Sequence, residues 1–267
     1  MDMLPKLIAS DIDGTLLPPG ETDIPTRIFP LLRRLTERGV LFCPASGRQY
    51  HSLRRLFAPV ADDMCYLCEN GSILFGPGPE ETAPVLSKTA SPRAAALELV
   101  RARRDHPGCE PVVSGLNTSY VHRDQEDLRR DIERYVGNRV AVFDTPEDIP
   151  EAVVKIAAYC PGTIAAVERD LRPDWESRLY VAVAGAEWLD FTPETKGTGL
   201  VRLCAVLGVD PAEVAAIGDN WNDVPMLDAV GQPWIMASAA PELTARYPNR
   251  CDDVAALLER FLEGGRE

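Results

Sequence analysis

Two aspartates that flank a single residue stand near the start of the chain, directly after an apolar run. The run Leu7-Ile-Ala-Ser ends at Asp11, and Asp13 is followed by Gly14 and Thr15. In a strand, side chains two residues apart share a face and lie about 7 Å from each other. That spacing suits a phosphoryl group, because one carboxylate can attack phosphorus while the other reaches the leaving oxygen. Gly14 lets the chain turn away at positive φ. Taken alone, the pattern is equally typical of an acidic turn at a strand end.

Three further clusters of polar residues have types that suit the same chemistry. They are Ser46-Gly47-Arg48, Lys196, and the group Asp219, Asn222 and Asp223. The first and last of these, like the aspartate pair, come just after apolar runs. In an open parallel sheet, ligand sites form outside the carboxyl ends of the strands near a switch point. Sequence separations of about 35 and 170 residues therefore do not prevent the four clusters from meeting.

Phosphoryl transfer through a carboxylate gives these residues separate tasks. A carboxylate nucleophile divides the reaction into formation and hydrolysis of an aspartyl-phosphate. Two anions approach each other only when charge is neutralised, so we expect a hard divalent cation and a lysine. Mg²⁺ prefers oxygen ligands, which matches Asp11, Asp219 and a backbone carbonyl near Asp13. Lys196 would stabilise negative charge on the nucleophile and on phosphate, and Asp223 would hold that lysine in place.

Each cluster also has a simpler structural interpretation. Ser46 taken alone is typical of a helix N-cap, although a hydroxyl at the start of a helix also suits a phosphoryl oxygen. Lys196 taken alone is typical of a solvated first helical turn. The loop Gly218–Asp223, directly after a buried strand, is harder to explain as a turn. All four clusters in this order favour a phosphoryl-transfer site.

The elements that must position these clusters alternate between strand and helix in the first 82 residues. Apolar residues at helical spacing predict a helix over 25–38, which closes at Gly39. Strands are predicted at Val40–Cys43 and Met64–Leu67, with a helix between them that opens at the Ser-Gly-Arg cluster and runs to about residue 57. This β-α-β-α-β order implies a parallel sheet with right-handed crossovers.

The regular alternation of strand and helix ends after the turn-rich segment Gly76–Pro79. Residues 83–189 carry no carboxylate pair at a strand end followed by glycine, and we expect an inserted α+β domain there. Its expected elements are Ser91–Arg104, Asp124–Val136 and Thr163–Leu171 as helices, and Val112–His122, Val140–Phe143, Val153–Tyr159 and Leu179–Val183 as extended segments.

The alternation of helices and strands resumes after the insert. The expected elements are a helix at Thr195–Leu207, strands at Val214–Ile217 and Trp234–Met236, and a last helix at about Asp252–Leu262. The predicted fold is therefore a doubly wound, Rossmann-like α/β core, residues 1–82 and 190–267, with an α+β cap at 83–189. Hinges are expected near Gly76–Pro84 and Glu187–Pro193.

Composition excludes several classes of partner. The 267 residues are 45% hydrophobic and 26% charged, as in an ordinary soluble globular protein, with a net charge of −13. Nucleic acid and anionic membranes require clustered lysine and arginine, so neither is expected as a partner. Seven scattered cysteines without a secretory signal predict reduced thiols and a cytoplasmic location. Cys65 and Cys68 form a lone C-x-x-C, which favours a structural role. No apolar run is long enough for a membrane span.

The four clusters together resemble the haloacid dehalogenase superfamily of phosphohydrolases. The matching motifs are Asp-x-Asp-Gly-Thr-Leu at 11–16, Ser-Gly-Arg at 46–48, Lys-Gly at 196–197 and Gly-Asp-x-x-Asn-Asp at 218–223. The long insert between the second and third motifs resembles the Cof-type subfamily with a type IIB cap. Two departures are Ser46, where many relatives have threonine, and the tail 249–254, which lacks the usual Asp-Gly-Val.

The resemblance implies a role for each matched residue. Asp11 would be the nucleophile and Asp13 the general acid and base. Mg²⁺ would bind Asp11, the backbone carbonyl of Asp13, and Asp219. Lys196 would be the third catalytic residue. The remaining matched residues would bind phosphate or substrate (Ser46, Gly47, Arg48, Asn222) or support the site (Asp223).

The sequence therefore predicts a Mg²⁺-dependent phosphatase for a small phosphorylated metabolite, a sugar or polyol phosphate. A phosphosugar mutase of the same superfamily and a non-catalytic sensor of a phosphorylated ligand are the alternatives, and intact Asp13 and Lys196 argue against the sensor. The oligomeric state is left open. Within the insert, Asn117, Tyr120 and His122 are weak candidates for substrate contact, since a solvated strand would have the same pattern.

Overall fold

The computed structural model describes residues 4–18, 20–104, 106 and 108–264. The strands of this part of the chain are β1 Leu7–Ser10, β2 Leu41–Pro44, β3 Tyr66–Cys68, β4 Ile73–Phe75, β5 Val85–Lys88, β6 Glu110–Ser114, β7 Ser119–His122, β8 Val140–Phe143, β9 Lys155–Tyr159, β10 Tyr180–Val183, β11 Trp188–Thr192, β12 Val214–Gly218, β13 Gln232–Met236 and β14 Arg250–Cys251.

The helices of the same residues are α1 Ile28–Glu37, α2 Tyr50–Leu56, α3 Arg93–Arg104, α4 Glu126–Asp131, α5 Ile164–Trp175, α6 Lys196–Leu207, α7 Val224–Leu227, α8 Pro241–Arg246 and α9 Val254–Gly264. A π-helical segment, Ile132–Val136, continues α4. Short 3₁₀ turns lie at Ala61–Asp63, Glu69–Gly71, Pro146–Asp148, Pro211–Glu213 and Trp221–Asp223.

A five-stranded parallel sheet with the order β14-β13-β12-β1-β2 forms the core. From β1 the chain adds β2 on one side, and β12, β13 and β14 later extend the sheet on the other. The switch point of this doubly wound sheet therefore lies at β1 and β12, where ligand sites form in such folds. The predicted parallel α/β core is confirmed.

Apolar residues on the two faces of β1 enter different halves of the core. Leu7 and Ala9 pack with α6, α7 and α8, whereas Ile8 packs with α1 and α9. This alternation follows from the two-residue repeat of a strand. Apolar residues of α1 at helical spacing are all buried (Ile28, Leu31, Leu32, Leu35). Helices on both faces of a parallel sheet explain why its central strands are mainly apolar.

A second, six-stranded sheet with the order β10-β11-β9-β6-β7-β8 forms the α+β unit, and we call it the cap sheet. One face of the cap sheet packs on α3 and α5. The other face packs on α4 and its π-helical continuation in a smaller cluster that includes Val112, Ile132 and Ala157. The predicted extended segment Val112–His122 is a hairpin of β6 and β7, closed by a hydrogen bond from the Gly115 N–H to the Thr118 carbonyl at 2.9 Å.

The structure connects residues on both sides of each predicted end of the insert. At the first end, β5 pairs with β4 in a three-stranded antiparallel sheet with β3, so residues on both sides of position 83 share one sheet. At the second end, β11 runs through residue 189 to Thr192 as part of the cap sheet. Division of the chain at 82/83 and 189/190 stays a prediction.

The structure also bears on the expected state of the cysteines and on the expectation that the chain has no membrane span. All seven cysteines are buried free thiols, and Cys65 and Cys68 pack in different hydrophobic clusters, as expected for two residues on opposite faces of a strand. No helix within the described residues has the length and apolar character needed to cross a bilayer.

Candidate active site

The predicted polar clusters meet at the carboxyl ends of the core strands. Asp11 directly follows β1, Asp219 directly follows β12, and Ser46 lies two residues after β2. Lys196 is the first residue of α6. The Thr195 side chain accepts the N–H of Thr198 and fixes the start of that helix.

Lys196 joins two carboxylates beneath the site. Its Nζ donates to Asp11 Oδ1 at 2.5 Å and to Asp223 Oδ1 at 2.6 Å. All three side chains are buried. Burial lowers the pKa of Lys196, but the charges of Asp11 and Asp223 outweigh burial and hold it above the ordinary value. Lys196 is therefore a charged ammonium group, and the interpretation as a solvated first-turn residue is wrong.

Asp223 organises the loop after β12 with its second oxygen. Asp223 Oδ2 accepts the backbone N–H of Asp219 at 2.9 Å and of Asn220 at 3.1 Å. Asp219 in turn accepts the hydroxyl of Thr15 at 3.0 Å through Oδ1. These bonds tie the loop after β12 to the loop after β1, so the two carboxylate-bearing loops hold one geometry.

Gly14 brings the backbone of the first motif against Asp219. Its φ is +92°, and a Cβ at this position would lie 2.4 Å from Asp219 Oδ2. Any other residue would both adopt an unfavourable φ and collide with the carboxylate. The backbone around Asp13 and Gly14 therefore packs directly on Asp219.

Three carboxylates of this site suit a metal ion. Asp11, Asp219 and Asp223 each place a ligand atom within 4.8 Å of the others. Burial raises the pKa of Asp11 well above its usual range, and burial together with the charge of Asp223 raises that of Asp219. A divalent cation would relieve this crowding, and hard oxygen donors suit Mg²⁺. Asp11 and Asp219 fit as ligands, because Lys196 and two backbone N–H groups occupy both oxygens of Asp223.

Asp13 has a different partner from the other aspartates. β1 ends at Ser10, so the assumption that Asp11 and Asp13 share one strand face is wrong, and both lie in the turn that follows. The Asp13 side chain is 55% exposed and accepts from Arg48 at 2.9 Å (Nε) and 2.5 Å (a terminal guanidinium nitrogen). Arg48 therefore forms a bidentate salt bridge with Asp13.

Ser46 lies in an extended segment and not at a helix N-terminus. The helix that follows, α2, begins at Tyr50 with Gln49 as N-cap, so the N-cap interpretation of Ser46 is wrong. Ser46 Oγ accepts the N–H of Arg48 at 3.2 Å, and the Ser46 N–H donates to the Leu67 carbonyl at 3.0 Å. Its hydroxyl lies at the wall of the cavity described next.

A cavity of about 380 Å³ separates the motif loops from the cap sheet. Lys196 and Asp223 lie buried below it. The other predicted site residues line it: Asp11, Asp13, Ser46, Gly47, Arg48, Asp219 and Asn222. The opposite wall consists of residues of the cap sheet and of the segment that follows α4. A small ligand in this cavity would therefore meet carboxylates at one end and cap residues at the other.

Sequence comparison places the chain in a known family. A model of the haloacid dehalogenase-like hydrolases matches residues 8–255. The chain belongs to this family. Its motif residues are those that the fold gathers at the carboxyl ends of the core strands, so the family match and the geometry agree.

Two curated relatives of this hydrolase are named as phosphatases. The 5-amino-6-(5-phospho-D-ribitylamino)uracil phosphatase of Escherichia coli K12 is 26% identical over 250 residues, which cover 90% of this chain and 88% of the relative. The HMP-PP phosphatase of Cronobacter sakazakii is 26% identical over 248 residues, which cover 91% and 88%. The prediction of a haloacid dehalogenase-like phosphatase is confirmed.

Solved structures share the fold of the hydrolase. A sugar phosphatase of haloacid dehalogenase subclass IIB superposes with a TM-score of 0.79 at 18% identity, over 96% of this chain and 98% of its own. The predicted Cof-type, type IIB architecture with a cap is confirmed.

The hydrolase also has a buried polar network that the sequence analysis did not predict. Lys155 of β9 donates to the Gly47 carbonyl at 2.5 Å and pairs with Glu69 at 2.7 Å and Asp190 at 3.6 Å. Asn70 donates to Asp190 at 2.7 Å. Burial lowers the pKa of Lys155, but Asp190 and Glu69 outweigh burial and raise it above the ordinary value. This network connects the cap sheet to the segment that carries Ser46.

The sequence contains one signal at this network, a turn pattern, which by itself does not indicate buried polar contacts. Glu69-Asn70-Gly71 indicates a turn, and both Glu69 and Asn70 have positive φ, 50° and 55°. Asparagine tolerates that conformation better than most residues. The turn places the buried side chains of Glu69 and Asn70 against the cap sheet. The turn pattern therefore coincides with a contact between the core and the cap sheet.

The weak candidates for substrate contact do not line the cavity of the hydrolase, as far as the described residues go. The hydroxyl of Tyr120 donates to Glu151 at 2.8 Å, and His122 contacts the Asp144 carbonyl at 3.1 Å. Both side chains are buried, so the solvated-strand interpretation is wrong as well. Asn117 accepts the N–H of His51 at 3.0 Å and joins the cap to α2.

Proposed function

We propose that this hydrolase is a Mg²⁺-dependent phosphatase of the cytoplasm that cleaves a small sugar or polyol phosphate through an aspartyl-phosphate on Asp11. The observation that carries the proposal is the arrangement of Lys196 between Asp11 and Asp223, with Asp219 beside them at the switch point of the sheet. Reduced cysteines support the location, and polar residues at the cap side of the cavity support a hydroxylated alcohol.

In the first step, an oxygen of Asp11 attacks phosphorus as the bond from phosphorus to the ester oxygen breaks. Lys196 holds Asp11 Oδ1, which orients the carboxylate and leaves Oδ2 for the attack. Asp13 gives a proton to the departing oxygen, and the alcohol leaves. In the second step a water molecule attacks the phosphoryl group, Asp13 takes its proton, and phosphate and free Asp11 are formed.

Mg²⁺ bound to Asp11 and Asp219 would neutralise charge on the phosphoryl oxygens. Asp223 keeps Lys196 and the Asp219 loop in place. Ser46, which follows β2 and lines the cavity on the core side, would donate a hydrogen bond to a phosphoryl oxygen. Arg48 orients Asp13 through its two hydrogen bonds and adds positive charge near the phosphate.

A screen for phosphate release over a panel of phosphorylated metabolites with Mg²⁺ tests this function against its two alternatives. A phosphatase releases inorganic phosphate from at least one ester. A phosphosugar mutase would isomerise a sugar phosphate only with a bisphosphate activator and would release little phosphate. A sensor would bind an ester without turning it over.

Removal of the metal should abolish turnover. After dialysis against EDTA we expect background phosphate release, and added Mg²⁺ should restore the full rate because it neutralises the crowded carboxylates. Asp219→Asn should raise the Mg²⁺ concentration needed for half-maximal activity. Full activity after exhaustive chelation would contradict the metal role.

Loss of Asp13 should depend on the leaving group. With Asp13→Ala we expect kcat to fall by roughly 10²–10⁴ on alkyl phosphates, which need a proton on the departing oxygen. On p-nitrophenyl phosphate the fall should be smaller, because the leaving group is already acidic. Arg48→Ala should show the same dependence in weaker form. An equal loss on both kinds of ester would exclude the acid role of Asp13.

A further inference from the structure

A buried lysine of the cap sheet reaches the catalytic segment of the core through one backbone carbonyl. Lys155 Nζ donates to the carbonyl oxygen of Gly47 at 2.5 Å. Both residues line the cavity that contains the catalytic aspartates. No step of the proposed reaction uses the charge of Lys155, so its task must lie in what it holds.

The backbone of Ser46 is fixed by the core without help from the cap sheet. Its N–H donates to the Leu67 carbonyl, and its carbonyl accepts the N–H of Asn70, both at 3.0 Å. The next residue, Gly47, has no Cβ and therefore the greatest conformational freedom in the segment. Its carbonyl is the group that Lys155 binds.

The peptide unit after Gly47 leads directly to the general acid. The Gly47 carbonyl and the Arg48 N–H belong to one planar unit, so rotation of that unit would displace the backbone from which the Arg48 side chain extends. Arg48 in turn binds Asp13 with hydrogen bonds of 2.9 and 2.5 Å. Lys155 is therefore two contacts away from Asp13.

Glu69 closes these contacts into a ring. Its N–H donates to the Arg48 carbonyl at 3.2 Å, and its carboxylate pairs with Lys155 at 2.7 Å. Glu69 is fully buried and has a φ of +50°, which is uncommon for a residue with a side chain. Such backbone conformations persist where the surrounding structure fixes them, and they cluster at functional sites.

Stability alone does not explain a charged network at this place. Lys155 and its partners Glu69 and Asp190 are all buried, and apolar residues in place of a buried ion network often leave stability unchanged or increase it. The network also packs directly on the catalytic segment, because a Cβ at Gly47 would lie 3.3 Å from oxygens of Asn70 and Asp190. A displacement of the network would therefore move Gly47.

We propose that Lys155 is a positioning residue for acid catalysis, which fixes the Gly47–Arg48 peptide and thereby orients Asp13 toward the leaving oxygen. The inference rests on the proposed phosphatase function and adds to it a residue of the cap sheet. Without this contact the hydrolase keeps Asp11 for attack and Ser46 on its core anchors, but proton transfer to the leaving group becomes slower.

The dependence of the rate on the leaving group tests the role of Lys155. With Lys155→Met we expect kcat to fall by about 10- to 100-fold on the alkyl phosphate that the wild type hydrolyses fastest, the effect of displacing a catalytic group by about 1 Å. On p-nitrophenyl phosphate the fall should be less than about threefold, because that leaving group is already acidic. Lys88→Met makes the same change at an exposed residue and should leave both rates unchanged.

A double-mutant cycle tests the path from Lys155 to Asp13. In an Arg48→Ala background, Lys155→Met should change kcat for the alkyl ester by less than about threefold, because the lysine acts through that arginine. Equal losses on the alkyl and aryl esters, or losses that multiply in the double variant, would overturn the proposal. Should Lys155→Met fail to fold, Lys155→Met/Glu69→Gln removes the lysine together with one of its carboxylates, and the same outcomes apply.

Amide hydrogen exchange separates this proposal from the proposed function. Lys155→Met should accelerate exchange in a peptide that covers residues 46–50 by about tenfold or more and leave α1 unchanged, because one end of the segment loses its anchor. If the wild type hydrolyses no ester, the phosphatase proposal fails, and the exchange rates still decide whether Lys155 positions the segment. Unchanged exchange over 46–50 would overturn the assignment of Lys155.

Discussion

Replacing Asp11 with asparagine should lower kcat by about 10⁴-fold or more, the order of loss that follows removal of a covalent nucleophile. The amide has nearly the same shape but no anion to attack phosphorus, and it is a poor ligand for Mg²⁺. The fold should persist, because asparagine has nearly the same shape as aspartate and Lys196 keeps its contact with Asp223. Phosphate release and the thermal unfolding transition should both be measured.

The exposed Asp23 offers a matched control for the Asp11 variant. Asp23→Asn makes the same chemical change on the surface and should leave kcat unchanged. Activity of Asp11→Asn within tenfold of the wild type would show that another group attacks phosphorus. Single-turnover trapping of a phosphorylated protein, with the wild type as the positive case, would then identify that group.

Replacing Lys196 with methionine should affect stability and activity together. The substitution leaves Asp11 and Asp223 buried without their cation, and loss of one partner from a buried ion pair destabilises a protein by about 3–5 kcal/mol. At saturating Mg²⁺ we expect kcat to fall by about 10²–10³, as when one electrostatic group is removed from a preorganised site. Denaturant unfolding and phosphate release measure the two effects.

The exposed Lys6 offers a matched control for the Lys196 variant. It pairs with Glu213 at 2.8 Å, but its side chain is 58% exposed, and such pairs contribute only about 0–1 kcal/mol. Lys6→Met should therefore change neither stability nor kcat appreciably. If Lys196→Met is as stable as Lys6→Met, the buried ion pairs do not support the fold as described.

The clustering of Asp11, Asp219 and Lys196 was predictable because their positions follow a rule of topology. Asp11 and Asp219 come directly after buried strands, and the carboxyl ends of parallel strands meet at one edge of the sheet. Lys196 follows a capping threonine at the start of a helix, which fixes where its side chain enters. These signals are local in sequence, and the fold class alone brings them together.

Features that depend on tertiary docking were not predictable in the same way. In the sequence, Lys155 has the pattern of an ordinary strand residue. Its partners Glu69 and Asp190 lie 86 and 35 residues away. Only the packing of the cap sheet on the core makes them a network. Tyr120 was misjudged because the pairing of β6 with β7 decides which face a side chain takes, and one residue of register reverses it.

The central position of β1 has a consequence for how the chain folds as it is made. β1 pairs with β2, 34 residues away from Leu7 to Leu41, and with β12, 207 residues away from Leu7 to Val214. At 5–20 residues per second, roughly 9 to 35 s pass on the ribosome between synthesis of β2 and of β12. Through that interval one edge of β1 has exposed hydrogen-bonding groups, which invite pairing with other chains. The strand that brings Asp219 to the carboxylate cluster is also the strand that closes this edge.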